Sequence, residues 1–112
     1  MADTPKTLAS SSHIALLVLS LIAEEPMYGY RIIKELEARS ESYFRMKEGS
    51  LYPVLHQLEK DGLVRTEWRY QKGKPNRRYY SITRKGAQAL AQAKRDFEQH
   101  TRAMKLVMEL QG

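Results

Sequence analysis

A mainly α domain carrying a small β-hairpin is predicted by three observations on this sequence. Apolar residues recur at helical spacing along most of the chain, the period drops to two for a short stretch after Gly62, and Gly, Pro, Ser or Thr stand at the junctions. The 112 residues leave room for one domain with a modest core. A composition of 42% hydrophobic and 29% charged residues is that of a globular protein and excludes disorder throughout.

Residues 1–10 are small and polar and read as a flexible arm. The first helix is predicted from residue 11 or 12 to 23 behind a serine cap, with Ile14, Leu16, Leu17, Val18, Leu19, Leu21 and Ile22 on nearly every side. Such a helix needs cover from several directions, so a second subunit is expected against its far face. Pro26 closes it. Residues 28–40 place Ile32, Ile33 and Leu36 on one side and Arg31, Lys34, Glu35 and Glu37 on the other, which predicts an amphipathic helix, followed by a polar loop over 41–48.

The third helix is the best specified, because Leu51, Val54, Leu55 and Leu58 fall at i, i+3, i+4 and i+7. Proline lacks an N–H and is tolerated in a first turn, so Pro53 sets the expected start, with Ser50 as cap and Gly49 as the alternative. Lys60 and Gly62 supply the stop. Val64, Thr66, Trp68 and Tyr70 then alternate with Arg65, Glu67 and Arg69, a strand. Turn residues occupy 72–76, and Arg78, Tyr80 and Ile82 alternate on the return, so the segment is a two-stranded hairpin. Thr83 caps a last helix running to about residue 111, roughly 40 Å at 1.5 Å per residue.

The charge is localised. The chain has 19 Lys and Arg against 13 Asp and Glu, net +6. Residues 63–86 hold Arg65, Arg69, Lys72, Lys74, Arg77, Arg78, Arg84 and Lys85 against Glu67 alone, so this window is +7 and the remaining 88 residues sum to −1. A basic excess confined to one short segment points to a nucleic-acid contact; the alternative is a solvated hairpin tip.

Three short helices followed by a basic hairpin is the order of a winged helix-turn-helix, whose third helix enters the DNA major groove while the hairpin touches the flanking backbone. With the leucine stripe turned inward, Tyr52, Pro53, His56, Gln57 and Lys60 project outward, several of them able to bond base edges. The helix start, with Ser50, offers free N–H groups to a phosphate. The expected DNA-binding set is therefore Tyr30 and Lys34 on the second helix, Ser50, Tyr52, Pro53, His56 and Gln57 on the third, and Arg69, Lys72, Lys74, Arg77 and Arg78 on the wing. Trp68, Tyr70, Tyr79 and Tyr80 could stack on single-stranded bases, but on a wing such residues pack against the third helix more often.

Three runs in this order resemble the PadR family of transcriptional regulators: EEPMYGYRIIKEL at 24–36, GSLYPVLHQLEKDGLV at 49–64 and RRYYSITRKG at 77–86. The resemblance covers the chain from about residue 13 to the end of the last helix. It implies sequence-specific binding of double-stranded DNA at a palindromic operator by a homodimer, usually as a repressor, often with a small molecule as inducer. A single C-terminal helix stands where larger members carry a several-helix domain, so the chain resembles the short subfamily, and inferences from the larger effector domains do not transfer.

The last helix carries its own heptad. Leu90, Ala93, Phe97, His100, Met104 and Val107 are spaced 3, 4, 3, 4 and 3, and Ala103, Leu106 and Leu110 form a second stripe. Residues 84–112 are accordingly expected to form a dimerisation helix beyond a winged-helix domain at 11–83, with Leu17 of the first helix as a surface for it to meet. Phe97, Met104 and Met108 along the seam would admit a flat aromatic effector, and the resemblance implies the same; the alternative is a closed interface in which they simply pack.

Enzymatic readings lack their residues. No Gly-rich phosphate loop follows a strand, and no turn exposes a nucleophile. Cysteine is absent, which removes disulfides, thiol catalysis and thiolate zinc sites, while His13, His56 and His100 stand apart without a carboxylate at ligand spacing, so neither metal nor cofactor is expected. The apolar run over 14–23 reaches half the ~20 residues a membrane helix needs, and no signal peptide precedes it, so a cytoplasmic protein is expected. The competing function is a winged-helix module that binds a protein or structured RNA instead of an operator.

Overall fold

The structure, a computed structural model, describes residues 13–110. In chain order it consists of α1 (Ile14–Ile22), β1 (Met27–Tyr28), α2 (Gly29–Arg39), α3 (Glu48–Lys60), β2 (Val64–Arg69), β3 (Arg77–Ile82) and α4 (Arg84–Met108). The expected arm lies outside the described residues. In place of the expected serine cap, His13 is the N-cap of α1 and makes no side-chain capping bond, and α4 ends at Met108 with Glu109 as a left-handed C-cap, short of the expected residue 111.

The core forms where the apolar faces of α1, α2 and α3 meet the inner face of the sheet. Val18, Leu19, Ile22, Met27, Ile32, Leu51, Leu55, Leu58 and Leu63 are the largest fully buried side chains. The chain itself covers α1 on most sides, since Ala15 and Leu21 are buried as well and Leu16 and Leu17 are half-buried. The expectation that a second subunit must cover α1 is therefore corrected: α2, α3, β3 and α4 all pack on it.

The sheet has three strands, not the two expected, in the order β1-β3-β2 and antiparallel throughout. Met27 pairs with Tyr80 and Tyr28 with Tyr79. Two residues are too short to show a period of two, which is why the sequence carries no mark of β1. Burial then alternates along the hairpin: Val64, Thr66, Tyr80 and Ile82 face the helices, and Arg65, Glu67, Arg69, Arg77 and Tyr79 the opposite side.

The third helix starts earlier than expected. Lys47 is its N-cap without a side-chain capping bond, and the amides of Ser50 and Leu51 both donate to the Lys47 carbonyl at 3.0 Å. Ser50 and Gly49 are thus inside the helix, and Pro53 sits in its second turn. The cost is limited to the bond that proline cannot give the Gly49 carbonyl, in an exposed stretch where water replaces it.

A compact junction fixes α4. Thr83 caps it as expected, its Oγ1 accepting from the Gly86 amide at 3.0 Å and donating to the Gly62 carbonyl at 2.7 Å. The Thr83 amide donates to the Leu63 carbonyl at 3.0 Å. Gly86 lies so close to that carbonyl that an added Cβ would be 2.1 Å from its oxygen. From there α4 packs Leu90 and Ala93 against α1, His13 meets Phe97 edge-on with centroids 5.3 Å apart, and the remaining turns project.

These packing relations fix the expected response to substitution. Gly86→Ala should cost about 1–3 kcal/mol by overpacking against backbone, whereas Gly49→Ala, which meets nothing within 4 Å, should hold or raise the thermal midpoint. At the other end of the core, Arg39 donates to both Glu24 oxygens at 2.6 and 2.9 Å and to Glu35, and this hydrogen bonding holds the Glu24 carboxyl below its ordinary 4.5. A depressed carboxyl stabilises the fold above its unfolded pKa, so the contribution is lost as pH falls from 4.5 through the folded value. Urea titrations across that range should show Glu24→Gln flattening this part of the acid dependence.

Candidate nucleic-acid interface

Burial of Leu51, Leu55 and Leu58 leaves one choice for the rest of α3. Ser50, Tyr52, Pro53, His56, Gln57 and Lys60 are all exposed, as the helical period requires. Tyr52 is half-exposed, and its hydroxyl lies over the start of α2, where a Cβ on Gly29 would come within 2.9 Å of it. Glycine at 29 thereby lets a large aromatic side chain bridge the two helices of the helix-turn-helix. Gln57 donates to Asp61 at 2.9 Å, which leaves its carbonyl oxygen able to accept. On α2, Tyr30 is exposed with the Lys34 ammonium 5.3 Å from its ring.

The wing is tied to α3 by a group that sequence reasoning missed. Glu59 accepts from Arg78 Nη2 at 3.1 and 3.2 Å and from the Thr66 hydroxyl at 3.1 Å, and the same guanidinium nitrogen reaches Thr66 Oγ1 at 3.2 Å. The pairing joins both strands of the hairpin to α3. No spacing rule marks Glu59 as an anchor, because its partners arrive from residues 66 and 78 only through strand pairing. Beneath Arg78, burial pushes the Tyr80 phenol up, so it remains a neutral side chain at neutral pH.

The wing cations expected together therefore fall into two groups. Arg69 bonds Glu67 at 3.0 and 3.1 Å and stacks on Tyr79, Arg77 stacks on Tyr28, and Arg78 is bound to Glu59. Lys72 and Lys74, in the loop with Gly73 at φ +77°, extend into solvent. Trp68 and Tyr70 are 55% and 70% exposed, and of the wing aromatics Tyr80 is the one buried in the core.

The dimer and effector set divides too. Leu90 and Ala93 are buried in this chain's own core and Leu17 is half-buried, so an open seam does not begin at Leu90. Phe97, Met104, Leu106, Val107, Met108 and Leu110 are all at least 42% exposed, and His100 is exposed beside them. A shallow groove between Phe97, Arg102, Leu106 and Leu110 runs along this single helix. Among the described residues no His, Asp or Glu group is arranged to hold a metal, and no helix is long and apolar enough to cross a membrane.

Comparison with known proteins places these features. The transcriptional regulator PadR-like family matches residues 18–92. Transcriptional regulator Rv3488 of Mycobacterium tuberculosis is 36% identical over 80% of this chain and 79% of its own. A PadR family transcription regulator from hypervirulent Clostridium difficile superposes with a TM-score of 0.77 at 28% identity, covering 87% of this chain and 99% of the other. Bacillus subtilis PadR, solved in complex with operator DNA, shares the fold with a TM-score of 0.64 at 23% identity, over 70% of this chain and 45% of that one.

The Glu59 anchor has a measurable consequence for this site. Glu59→Gln should cost under about 1 kcal/mol of global stability, as expected for a solvent-screened pair. Amide hydrogen exchange over residues 66–80 should nevertheless accelerate while that of α1 stays unchanged.

Proposed function

The chain belongs to the PadR-like family of transcriptional regulators, and from that premise we propose that it is a cytoplasmic, homodimeric repressor whose α3 reads operator bases while its wing binds the flanking phosphates. The observation that carries this reading is the juxtaposition of an outward polar face on α3 with the most basic segment of the chain, joined to it through Glu59. Tyr52, His56 and Gln57 offer donors and acceptors suited to base edges, and Lys72 and Lys74 offer unshared charge. The same fold is carried by Bacillus subtilis PadR in its complex with operator DNA.

Dimerisation is assigned to the projecting half of α4. A stripe of Phe97, Met104, Val107 and Met108 exposed on one helix, with Leu106 on the second stripe, is more apolar surface than a monomer keeps in water. Two copies related by a two-fold axis would present their α3 helices to major grooves ~34 Å apart and so select a palindromic operator. The groove beside Phe97 is open on one helix, and a second copy packed over it would enclose it. A planar aromatic effector held there would relieve repression by altering the spacing of the two α3 helices.

Three sets of variants test these roles. Lys72→Ala and Lys74→Ala should weaken all duplexes alike and reduce the slope of log affinity against log salt by about 0.9 for each phosphate no longer neutralised. Tyr52→Ala and His56→Ala should cost about 1–3 kcal/mol on the operator and little on random DNA. Equal losses on both DNAs would make Tyr52 and His56 phosphate contacts. Phe97→Ala should abolish binding of a planar aromatic dye while leaving operator affinity within a few-fold; monomers that bind DNA poorly, with no ligand shifting the wild type, would make Phe97 an interface residue only.

A further inference from the structure

The last register pair before the wing tip sets Arg69 directly opposite Arg77. Like charges facing one another across strands repel, so the arrangement is unfavourable in the free protein. The repulsion is managed by drawing each guanidinium onto an aromatic ring. The Arg69 guanidinium carbon lies 4.0 Å from the Tyr79 ring centre and that of Arg77 lies 4.3 Å from the Tyr28 ring. The two rings meet edge-to-face, 5.5 Å apart and inclined at 64°, because β1 pairs Tyr28 with Tyr79. Arg77, Tyr28, Tyr79 and Arg69 thus form one continuous ladder on the outer face of the sheet, opposite the core.

Stacking leaves a guanidinium its most useful part. The ring takes one face of the planar cation, while the N–H donors around its edge stay directed outward in the fork that fits a phosphate. On Arg69 one edge is shared with Glu67; among the described residues Arg77 has no carboxylate partner. Tyr28 also immediately precedes Gly29, the first residue of α2. The ladder therefore refers the position of the two arginines to the helix-turn-helix as well as to the hairpin, unlike the lysines of the tip.

We propose that Tyr28 and Tyr79 are positioning residues for DNA binding, holding Arg69 and Arg77 as a preformed clamp on backbone phosphate next to the wing tip. The proposal rests on the reading of the wing as a phosphate-contacting surface. Preorganisation is the source of the gain: a cation already held in its bound orientation loses less freedom when the phosphate arrives.

The test is the affinity of the full chain for a mixed-sequence DNA duplex over a potassium chloride series, corrected for folded fraction by circular dichroism. Tyr28→Leu and Tyr79→Leu should each weaken binding about two- to fivefold. Tyr28→Phe and Tyr79→Phe, which keep the ring, should bind like the wild type. In an Arg77→Ala background Tyr28→Leu should cause no further loss, since the residue acts through that arginine. Leucine and phenylalanine variants that behave alike, or Tyr28→Leu and Arg77→Ala losses that multiply, would overturn the clamp while leaving a salt-dependent wild type in place. A wild type that binds no duplex at any salt would overturn the DNA reading itself, and the clamp with it.

Discussion

The approach of Gly86 to the Leu63 carbonyl is the constraint on which the rest of the molecule depends. That carbonyl also accepts from Thr83, whose side chain accepts from Gly86 and donates to Gly62. Four residues thereby bring together the end of α3, both ends of the wing and the start of α4. Gly62, at φ +77°, supplies the left-handed turn that lets β2 leave α3. Any side chain at 86 would separate these elements, and with them the outward face of α3 from the projecting half of α4.

Around that junction, apolar burial and polar contacts have different consequences. The leucines of α1 and α3, with Ile22, Met27 and Ile32, hold the domain together. The ion pairs are solvent-exposed and contribute little stability, so their effect is chiefly geometric. Glu59 sets the wing against α3, and Arg39 sets the end of α2 against Glu24, just beyond the C-cap of α1. An interface for a rigid polyanion needs this kind of fixed spacing, because recognition fails when contacts on helix and wing cannot be made together.

What the sequence made legible was whatever depends on local periodicity. The stripe of Leu51, Val54, Leu55 and Leu58 determined which side chains of α3 face outward, and the alternation from Val64 onward located the hairpin. Pro53 misled on the start of α3, since a proline in a second exposed turn costs less than its usual confinement to the first turn suggests. The heptad through Leu90 and Ala93 was real, but spacing does not say which helix receives it, and α1 of the same chain takes these two residues. Arg78 illustrates the limit of counting charge. Its partner Glu59 is 19 residues away, so the pair exists only once the strands have formed.

If one continuous surface, made of the outward face of α3 and the wing, meets DNA, both segments must respond together when a duplex binds. Backbone amide shifts of the isotope-labelled protein during titration with duplex DNA at low salt test this most directly. The largest changes should fall on residues 50–60 and 69–78, with α4 beyond Phe97 unaffected. Changes concentrated on the projecting half of α4, with those two segments silent, would contradict it.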